Sequence, residues 1–185
     1  MIQIAIILVI VIGMSIVTPL LINCGRSRYM KLILSLIFCV YFAGNLYFTL
    51  LSRRSGSSQY FELQPFRVYG HLFENPTEEV TATGFAALFL QGTLPITGLI
   101  LNILLYYPLG YLLPILFPKL KPKYVILIGC LCSIATEATQ YLLKMGWCET
   151  DDVIHNTLGT AIGVWVWHLQ SKRLNKPQIN ELPKE

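Results

Sequence analysis

Long apolar stretches separated by short charged segments dominate this chain, and they predict membrane-spanning helices. A helix needs about 20 mostly apolar residues to cross the hydrocarbon core of a bilayer. Stretches that reach or approach this length are Met1–Ile22, Leu32–Leu51, Leu99–Phe117, Tyr124–Met145 and Asp152–His168, the last being the shortest. Because every backbone polar group must be satisfied within the hydrocarbon, helices are the expected spanning elements.

The segment between the second and third stretches has a different pattern. Val80–Leu94 is apolar but too short for a comfortable span, so it favours an interfacial or re-entrant helix. A crossing by this segment is the alternative, and it would invert every later element. The predicted fold is all-α: a polytopic transmembrane helical bundle of about five spanning helices plus one interfacial or re-entrant helix.

Composition agrees with an integral membrane protein. Hydrophobic residues make up 54% of the 185 residues and charged residues 13%, against about 25% charged residues in a soluble domain. We expect residues 1–170 to form a single transmembrane domain, with its motif-bearing part at about residues 50–163, and residues 171–185 to form a polar cytoplasmic tail. Met1–Ile22 lacks the basic start and cleavage site of a signal peptide, so we expect it to be retained as a helix.

The basic residues predict the orientation in the cell membrane. Lys and Arg cluster in 24–31, in 118–123 and in the tail. With five spans these regions share one side, which the positive-inside rule makes cytoplasmic. The N-terminus is then outside and the C-terminus inside.

Glu137 is the most informative residue, because it interrupts an otherwise apolar predicted span. A carboxylate at this depth costs roughly 2.5–3.5 kcal/mol on insertion scales, so it usually faces a protein interior and marks function. Gln140 on the same predicted helix, and Asn102 and Asn156 on two others, are expected at a similar depth. Polar groups from separate spans therefore converge on one predicted pocket in the outer leaflet.

Each of these residues also has a simpler interpretation. Asn and Gln often only join helices by hydrogen bonds, and Asp151 and Asp152 are typical of a helix N-terminal cap. We nevertheless assign ligand-binding roles to Arg53, Asn102, Glu137, Gln140, Asp151, Asp152 and Asn156. Arg53 is the expected partner of Glu137, and Glu149 is expected to be solvated.

Other partners are limited by the same pattern. The ligand spacing of known metal sites is missing, so we predict no metal and no cofactor. Membrane lipids are the expected surroundings and nucleic acid is not an expected partner, while the oligomeric state is open.

Four separated motifs resemble the VanZ-like family, which is linked to teicoplanin resistance. They are Gln64-Pro65-Phe66, Asn102–Gly110, Glu137–Gln140 and Asp151–Gly159. The resemblance implies a small membrane protein that, in some members, lowers susceptibility to a lipoglycopeptide antibiotic. Many relatives carry an Arg just before the acidic cluster, where this chain has Gly146-Trp147-Cys148. Arg54 or Lys144 could supply that charge, or the ligand could differ.

Three functions fit this sequence. The first is a pocket for an amphiphile with a polar head, such as an envelope lipid intermediate or a lipoglycopeptide. The second is an intramembrane enzyme in which Glu137, the one candidate catalytic residue, acts as general acid or base on a lipid-linked substrate. The third is a structural accessory membrane protein whose polar residues only fix packing. We favour the first.

Overall fold

The computed structural model describes residues 13, 28–51, 61–62, 64–66, 95–144 and 148–174. Its elements follow in the order α1 (Arg28–Leu46), a π-helical turn (Tyr47–Leu51), β1 (Phe61–Glu62), α2 (Pro95–Leu116), α3 (Pro122–Leu142), β2 (Cys148–Glu149) and α4 (Thr150–Leu174). The described part of the chain is therefore mainly helical, as predicted, with one short strand pair that the sequence pattern did not indicate.

Three of the described helical segments are long and apolar enough to cross a membrane: Lys31–Leu50, Thr97–Leu116 and Pro122–Leu142. They coincide with the second, third and fourth predicted spans, and the protein is a membrane protein. Helix α4 covers the fifth predicted span but is more polar at both ends, and it continues three residues past Ser171, where the tail was expected to begin. The predicted helices at 1–22 (apart from Gly13) and 80–94 lie outside the described residues, so the number of five spans stays a prediction.

Proline sets the boundaries of two helices. Helices α2 and α3 begin at Pro95 and Pro122, where the missing N–H costs nothing and the fixed φ suits a first turn. Helix α3 ends at Leu142, and Leu143 closes it by donating its backbone N–H to the carbonyl of Thr139 over 3.0 Å.

Helix α2 lies at the centre of the bundle. Half of the most apolar segment of α2 is buried within the protein, against 11% of the corresponding segment of α1 and the turn that follows it. Two clusters around α2 form the core, and they contain Tyr106, Leu109, Leu113, Val125 and Val164 in one, and Tyr107, Tyr111 and Leu112 in the other. Pro108 and Pro114 lie inside α2. Prolines are tolerated there because neighbouring helices can satisfy the freed backbone groups.

Glycines allow α4 to pack directly against the backbone of α2. A Cβ atom at Gly159 would collide with the carbonyl of Ile103, and one at Gly163 would collide with the carbonyl of Tyr107. Small residues four apart give this close approach in membrane helices. Four residues farther along α4, from Gly159 to Gly163, the contact lies four residues farther along α2, from Ile103 to Tyr107. Helices α2 and α4 therefore run in the same direction.

Helix α1 lies on the outside of α2 and runs in the opposite direction. The Tyr41 hydroxyl donates to the carbonyl of Leu105 over 2.7 Å, and Asn45 Nδ2 donates to the same carbonyl over 3.3 Å. Phe38, one turn earlier on α1, packs on the Tyr111 cluster farther along α2. The end of α1 and the start of α2 consequently lie at the same end of the bundle. The segment that connects these two helices therefore starts and finishes at this end.

The strand pair lies at this same end. Strand β1 pairs in parallel with β2, with Phe61 opposite Cys148 and Glu62 opposite Glu149. The pair brings the connection after α1 to the start of α4. It thereby places the Gln64-Pro65-Phe66 motif beside the Asp151–Gly159 motif.

Candidate functional site

One face of α3 carries the polar groups of the candidate site. Ser133, Thr136, Glu137 and Gln140 are all buried, with exposed fractions between 0% and 6%. They stand at positions i, i+3, i+4 and i+7, which align on one side of a helix. Apolar residues such as Leu127 and Leu131 occupy the other side and are about half exposed. The burial pattern therefore turns Glu137 and Gln140 inward, as their spacing predicts, whereas Tyr141, which the same spacing assigns to this stripe, is exposed.

Glu137 is held by the strand that precedes α4. Its side chain is 3% exposed, and its Oε2 atom accepts the backbone N–H of Glu149 over 3.1 Å. Glu149 is itself half-buried, and the solvation of its carboxylate stays a prediction. A backbone donor orients the carboxylate without a long flexible partner, and charged acceptors make stronger hydrogen bonds than neutral ones.

Both aspartates at the start of α4 bind residues outside their own helix. Asp151 Oδ1 accepts the backbone N–H of Phe66 over 2.7 Å, and Asp152 Oδ1 accepts the Asn102 amide over 2.6 Å. They also lie in the first turn of α4, where the helix dipole favours negative charge. The interpretation as simple caps is thus incomplete, because the two carboxylates connect α4 to α2 and to the Gln64-Pro65-Phe66 motif.

Phe66 has an unusual backbone for its residue type. Its φ is 64°, in the left-handed region that non-glycine residues rarely adopt. This conformation accompanies the hydrogen bond from its N–H to Asp151. The motif therefore contributes a backbone donor, whereas the Phe66 ring itself is exposed.

Two further carboxamides of the site, those of Asn156 and Gln140, each make one bond to another element. Asn156 donates to Ser133 Oγ over 2.8 Å, and Gln140 donates to the backbone carbonyl of Thr49 over 2.8 Å. Thr49 belongs to the π-helical turn after α1, a conformation that occurs frequently at functional sites. The carbonyl oxygens of both amides, Gln140 Oε1 and Asn156 Oδ1, are buried and accept no hydrogen bond from the residues that the structure describes.

A cavity of about 470 Å³ opens beside Glu137, between α3 and the start of α4. It is lined by Ile134, Glu137, Ala138, Tyr141, Leu142, Cys148, Glu149, Thr150 and Val153. The walls are mainly apolar, although Glu137, Glu149 and Thr150 are among the lining residues. Apolar walls with a few polar groups are typical of ligand pockets.

The carboxylates impose a negative field on this cavity. Burial raises the pKa of the Cys148 thiol, and the nearby charges of Glu137, Asp152 and Glu149 raise it further. A thiol with a raised pKa is protonated at neutral pH and is therefore a poor nucleophile. Within the described ranges, no three His, Cys, Asp or Glu side chains come close enough to hold a metal ion.

The structure brings most of the predicted site residues to one end of the bundle. Asn102 and Asp152 bind each other directly. Glu137 and Gln140 share the buried face of α3. Asn156 is also buried, and it bonds to Ser133 on that face. Arg53 lies outside the described residues, and its pairing with Glu137 stays a prediction.

Several contributing groups escaped the sequence reasoning. Ser133 gave no motif signal, although it stands one helical turn before Glu137 and shares its face. The carbonyl of Thr49 and the backbone N–H groups of Phe66 and Glu149 have no side-chain signature at all. Only the tertiary structure could identify these three backbone groups.

The site lies within a region that is similar to known proteins. A profile of the family described as VanZ/LLP1 matches residues 29–171. The chain belongs to the VanZ/LLP1 family. The matched region begins at the start of α1 and ends near the end of α4, so every described site residue falls inside the VanZ/LLP1 domain.

The chain is also similar to Protein VanZ of Enterococcus faecium. The two are 26% identical over 83 residues, which is 44% of this chain and 50% of that protein. The chain thus spans about half the length of this curated VanZ/LLP1 relative. No solved structure matches the chain.

Proposed function

We propose that this VanZ/LLP1 protein binds the polar head of an amphiphile in the cavity beside Glu137. The observation that carries the proposal is the position of this carboxylate: it is 3% exposed yet borders a cavity of about 470 Å³ with mainly apolar walls. A buried charge in a membrane helix is expensive, which favours a functional role. The head group would contact Glu137 and its polar neighbours, and the acyl part would lie along the apolar wall.

The charge distribution supports a site in the outer leaflet. Lys119, Lys121 and Lys123 are exposed around the turn between α2 and α3, at the opposite end of the bundle from Glu137. Basic turns are cytoplasmic under the positive-inside rule. The cavity then opens on the outer side, the N-terminus lies outside and the C-terminus inside. An amphiphile can reach such a cavity laterally from the bilayer.

Membership of the VanZ/LLP1 family suggests the kind of ligand and the phenotype. We propose an envelope lipid intermediate or a lipoglycopeptide as the amphiphile. Binding it would lower susceptibility to teicoplanin-type antibiotics, in keeping with the relation to Protein VanZ.

Substitution of Glu137 and Asn156 tests this function in living cells. A strain that depends on this protein for reduced teicoplanin susceptibility should lose that phenotype with Glu137→Ala or Asn156→Ala, at unchanged abundance in the membrane. Val125→Ala is the matched control, because Val125 is a fully buried residue of α3 near the opposite end. If both site variants keep the full phenotype, the proposed pocket is wrong.

Catalysis by Glu137 is the second candidate function, because the carboxylate is oriented by a backbone donor beside a ligand-sized cavity. Glu137→Gln separates it from simple binding, since glutamine keeps the shape and loses the proton-transfer group. Loss of the phenotype with ligand binding retained would support an enzyme. Equal loss of both would support the binding function.

A further inference from the structure

Exposed lysines from three parts of the chain lie at the end of the bundle opposite the candidate site. Lys119, Lys121 and Lys123 belong to the turn between α2 and α3 and to the first turn of α3. Lys31, near the start of α1, and Lys172, near the end of α4, are exposed as well. Because α1 runs antiparallel and α4 parallel to α2, both of these lie at the end of α2 where the turn begins. The five side chains together form the lysine patch.

The lysine patch is not neutralised by the acidic residues that the structure describes. These acids all lie toward the other end of the bundle, in the strand pair, in the second half of α3 and in the first turn of α4: Glu62, Glu137, Glu149, Asp151 and Asp152. Positive and negative charge are therefore separated along the bundle. Surface charge of one sign raises the local concentration of ligands with the opposite charge.

The turn between α2 and α3 holds its lysines in a constrained backbone. Pro118 and Pro122 each fix the backbone φ angle. The backbone N–H of Leu120 donates to the carbonyl three residues earlier over 2.9 Å, and its half-buried side chain packs against the core of the bundle. Lys119 and Lys121, on either side of this anchor, are exposed. A constrained backbone loses little conformational freedom when a ligand binds, which favours affinity.

Tyrosines indicate the membrane depth of the lysine patch. Tyr29 stands two residues before Lys31, Tyr124 directly follows Lys123, and the two tyrosines are 78% and 45% exposed. The Nζ atom of Lys123 lies 5.1 Å from the centre of the Tyr124 ring, which is within the range of a cation–π contact. Exposed tyrosines of membrane helices are enriched at the level of the lipid headgroups. The ammonium groups beside them consequently lie near the lipid phosphates.

We infer that the lysine patch binds the headgroups of anionic phospholipids, with the turn between α2 and α3 at its centre. The lipid phosphate supplies the negative charge, and lysine ammonium groups bind phosphate as point charges. Clusters of about four to eight basic residues beside a membrane span are typical of anionic-lipid recognition. This site is separate from the cavity beside Glu137, and it does not depend on the proposed function.

Lipid competition on the purified full chain tests the inference. The protein is kept in a non-ionic maltoside detergent with equal amounts of phosphatidylglycerol and phosphatidylcholine that carry the same acyl chains. Native mass spectrometry then gives the ratio of the two lipids bound to the protein. We expect phosphatidylglycerol to be preferred at least about tenfold, since each lysine near a charged headgroup contributes about a fivefold gain. The preference should fall as ionic strength rises, because salt screens exposed charges.

Substitution of the turn lysines locates the site. The triple variant Lys119→Gln, Lys121→Gln, Lys123→Gln should lower the preference to about twofold or less, with the gel-filtration profile of the parent. The matching triple substitution to arginine keeps the charge and should keep the preference. Lys144→Gln removes one exposed lysine beyond the other end of α3, and it should leave the ratio unchanged.

Three results would overturn the inference. The first is equal binding of both lipids by the parent protein. The second is a loss of preference in Lys144→Gln as large as in the triple glutamine variant, which would place the anionic lipid elsewhere. The third is stronger displacement of phosphatidylglycerol by inorganic phosphate than by sodium chloride of equal ionic strength, which would show that the patch takes a free anion.

Discussion

Gln140 on α3 donates its side-chain amide to the backbone carbonyl of Thr49 over 2.8 Å, and this bond joins the end of α3 to the π-helical turn after α1. Helix α1 itself hydrogen-bonds to α2, through Tyr41 and Asn45. The Gln140 bond therefore ties the turn that follows α1 to the candidate site.

Removal of this amide should destabilise the bundle. We expect Gln140→Leu to lower the free energy of unfolding by about 1 kcal/mol, the net value of one buried hydrogen bond. The loss is moderated because the unpartnered Oε1 atom disappears as well. Thermal unfolding in detergent measures the effect, with Thr139→Val as the control because the Thr139 hydroxyl bonds within α3 only. A Gln140→Leu protein as stable as the parent would show that the bond contributes nothing.

Packing between α2 and α4 should depend on Gly159. A Cβ atom there meets the carbonyl of Ile103, so Gly159→Ala forces the helices apart and should cost about 1–3 kcal/mol, as is typical of overpacking. Gly98→Ala on α2 has open space around the new methyl group and should be neutral or stabilising by up to about 1 kcal/mol. Chemical denaturation of both variants provides the comparison. Equal stability of the two would contradict direct backbone packing.

Cys148 should react slowly with thiol reagents, and the reaction should have a displaced pH profile. Because burial and the carboxylates of Glu137, Asp152 and Glu149 raise its pKa, less thiolate is present at any given pH below that value. Glu149→Gln removes one negative charge, which lowers the pKa, so alkylation at pH 8 should become roughly threefold faster. The rate is measured in a protein whose other cysteines are replaced by serine. A slower reaction after this substitution would reverse the assigned sign.

The orientation in the membrane can be tested at the two ends of α3. Pro118 and Leu143 are both exposed, and they lie just beyond the two opposite ends of this helix. In intact cells, Pro118→Cys should resist a membrane-impermeant thiol reagent, and Leu143→Cys should be labelled. This result follows if the lysine-rich turn between α2 and α3 is cytoplasmic. The opposite labelling pattern would place the candidate site on the cytoplasmic side.

The site was predicted best where a polar residue interrupts an apolar helix. Glu137 and Gln140 could be assigned to a common inward face from their spacing alone, because a membrane helix turns its polar stripe away from lipid. Glu149 could not be placed in this way. It looks like an ordinary loop acid in the sequence, yet its backbone N–H binds Glu137 because β2 pairs with a distant strand.

The sequence by itself determined the helical class, the approximate positions of the three described apolar helices, the family and the residues that bring polarity into the membrane. These properties depend on local composition and spacing, which the chain carries at every position. The tertiary structure alone decided that Asp152 binds Asn102, that Gln140 binds the carbonyl of Thr49, and that two buried amide oxygens have no donor among the described residues. Such pairings depend on the relative positions of whole helices, and backbone donors and acceptors are the same for every residue type, so no sequence pattern could reveal them.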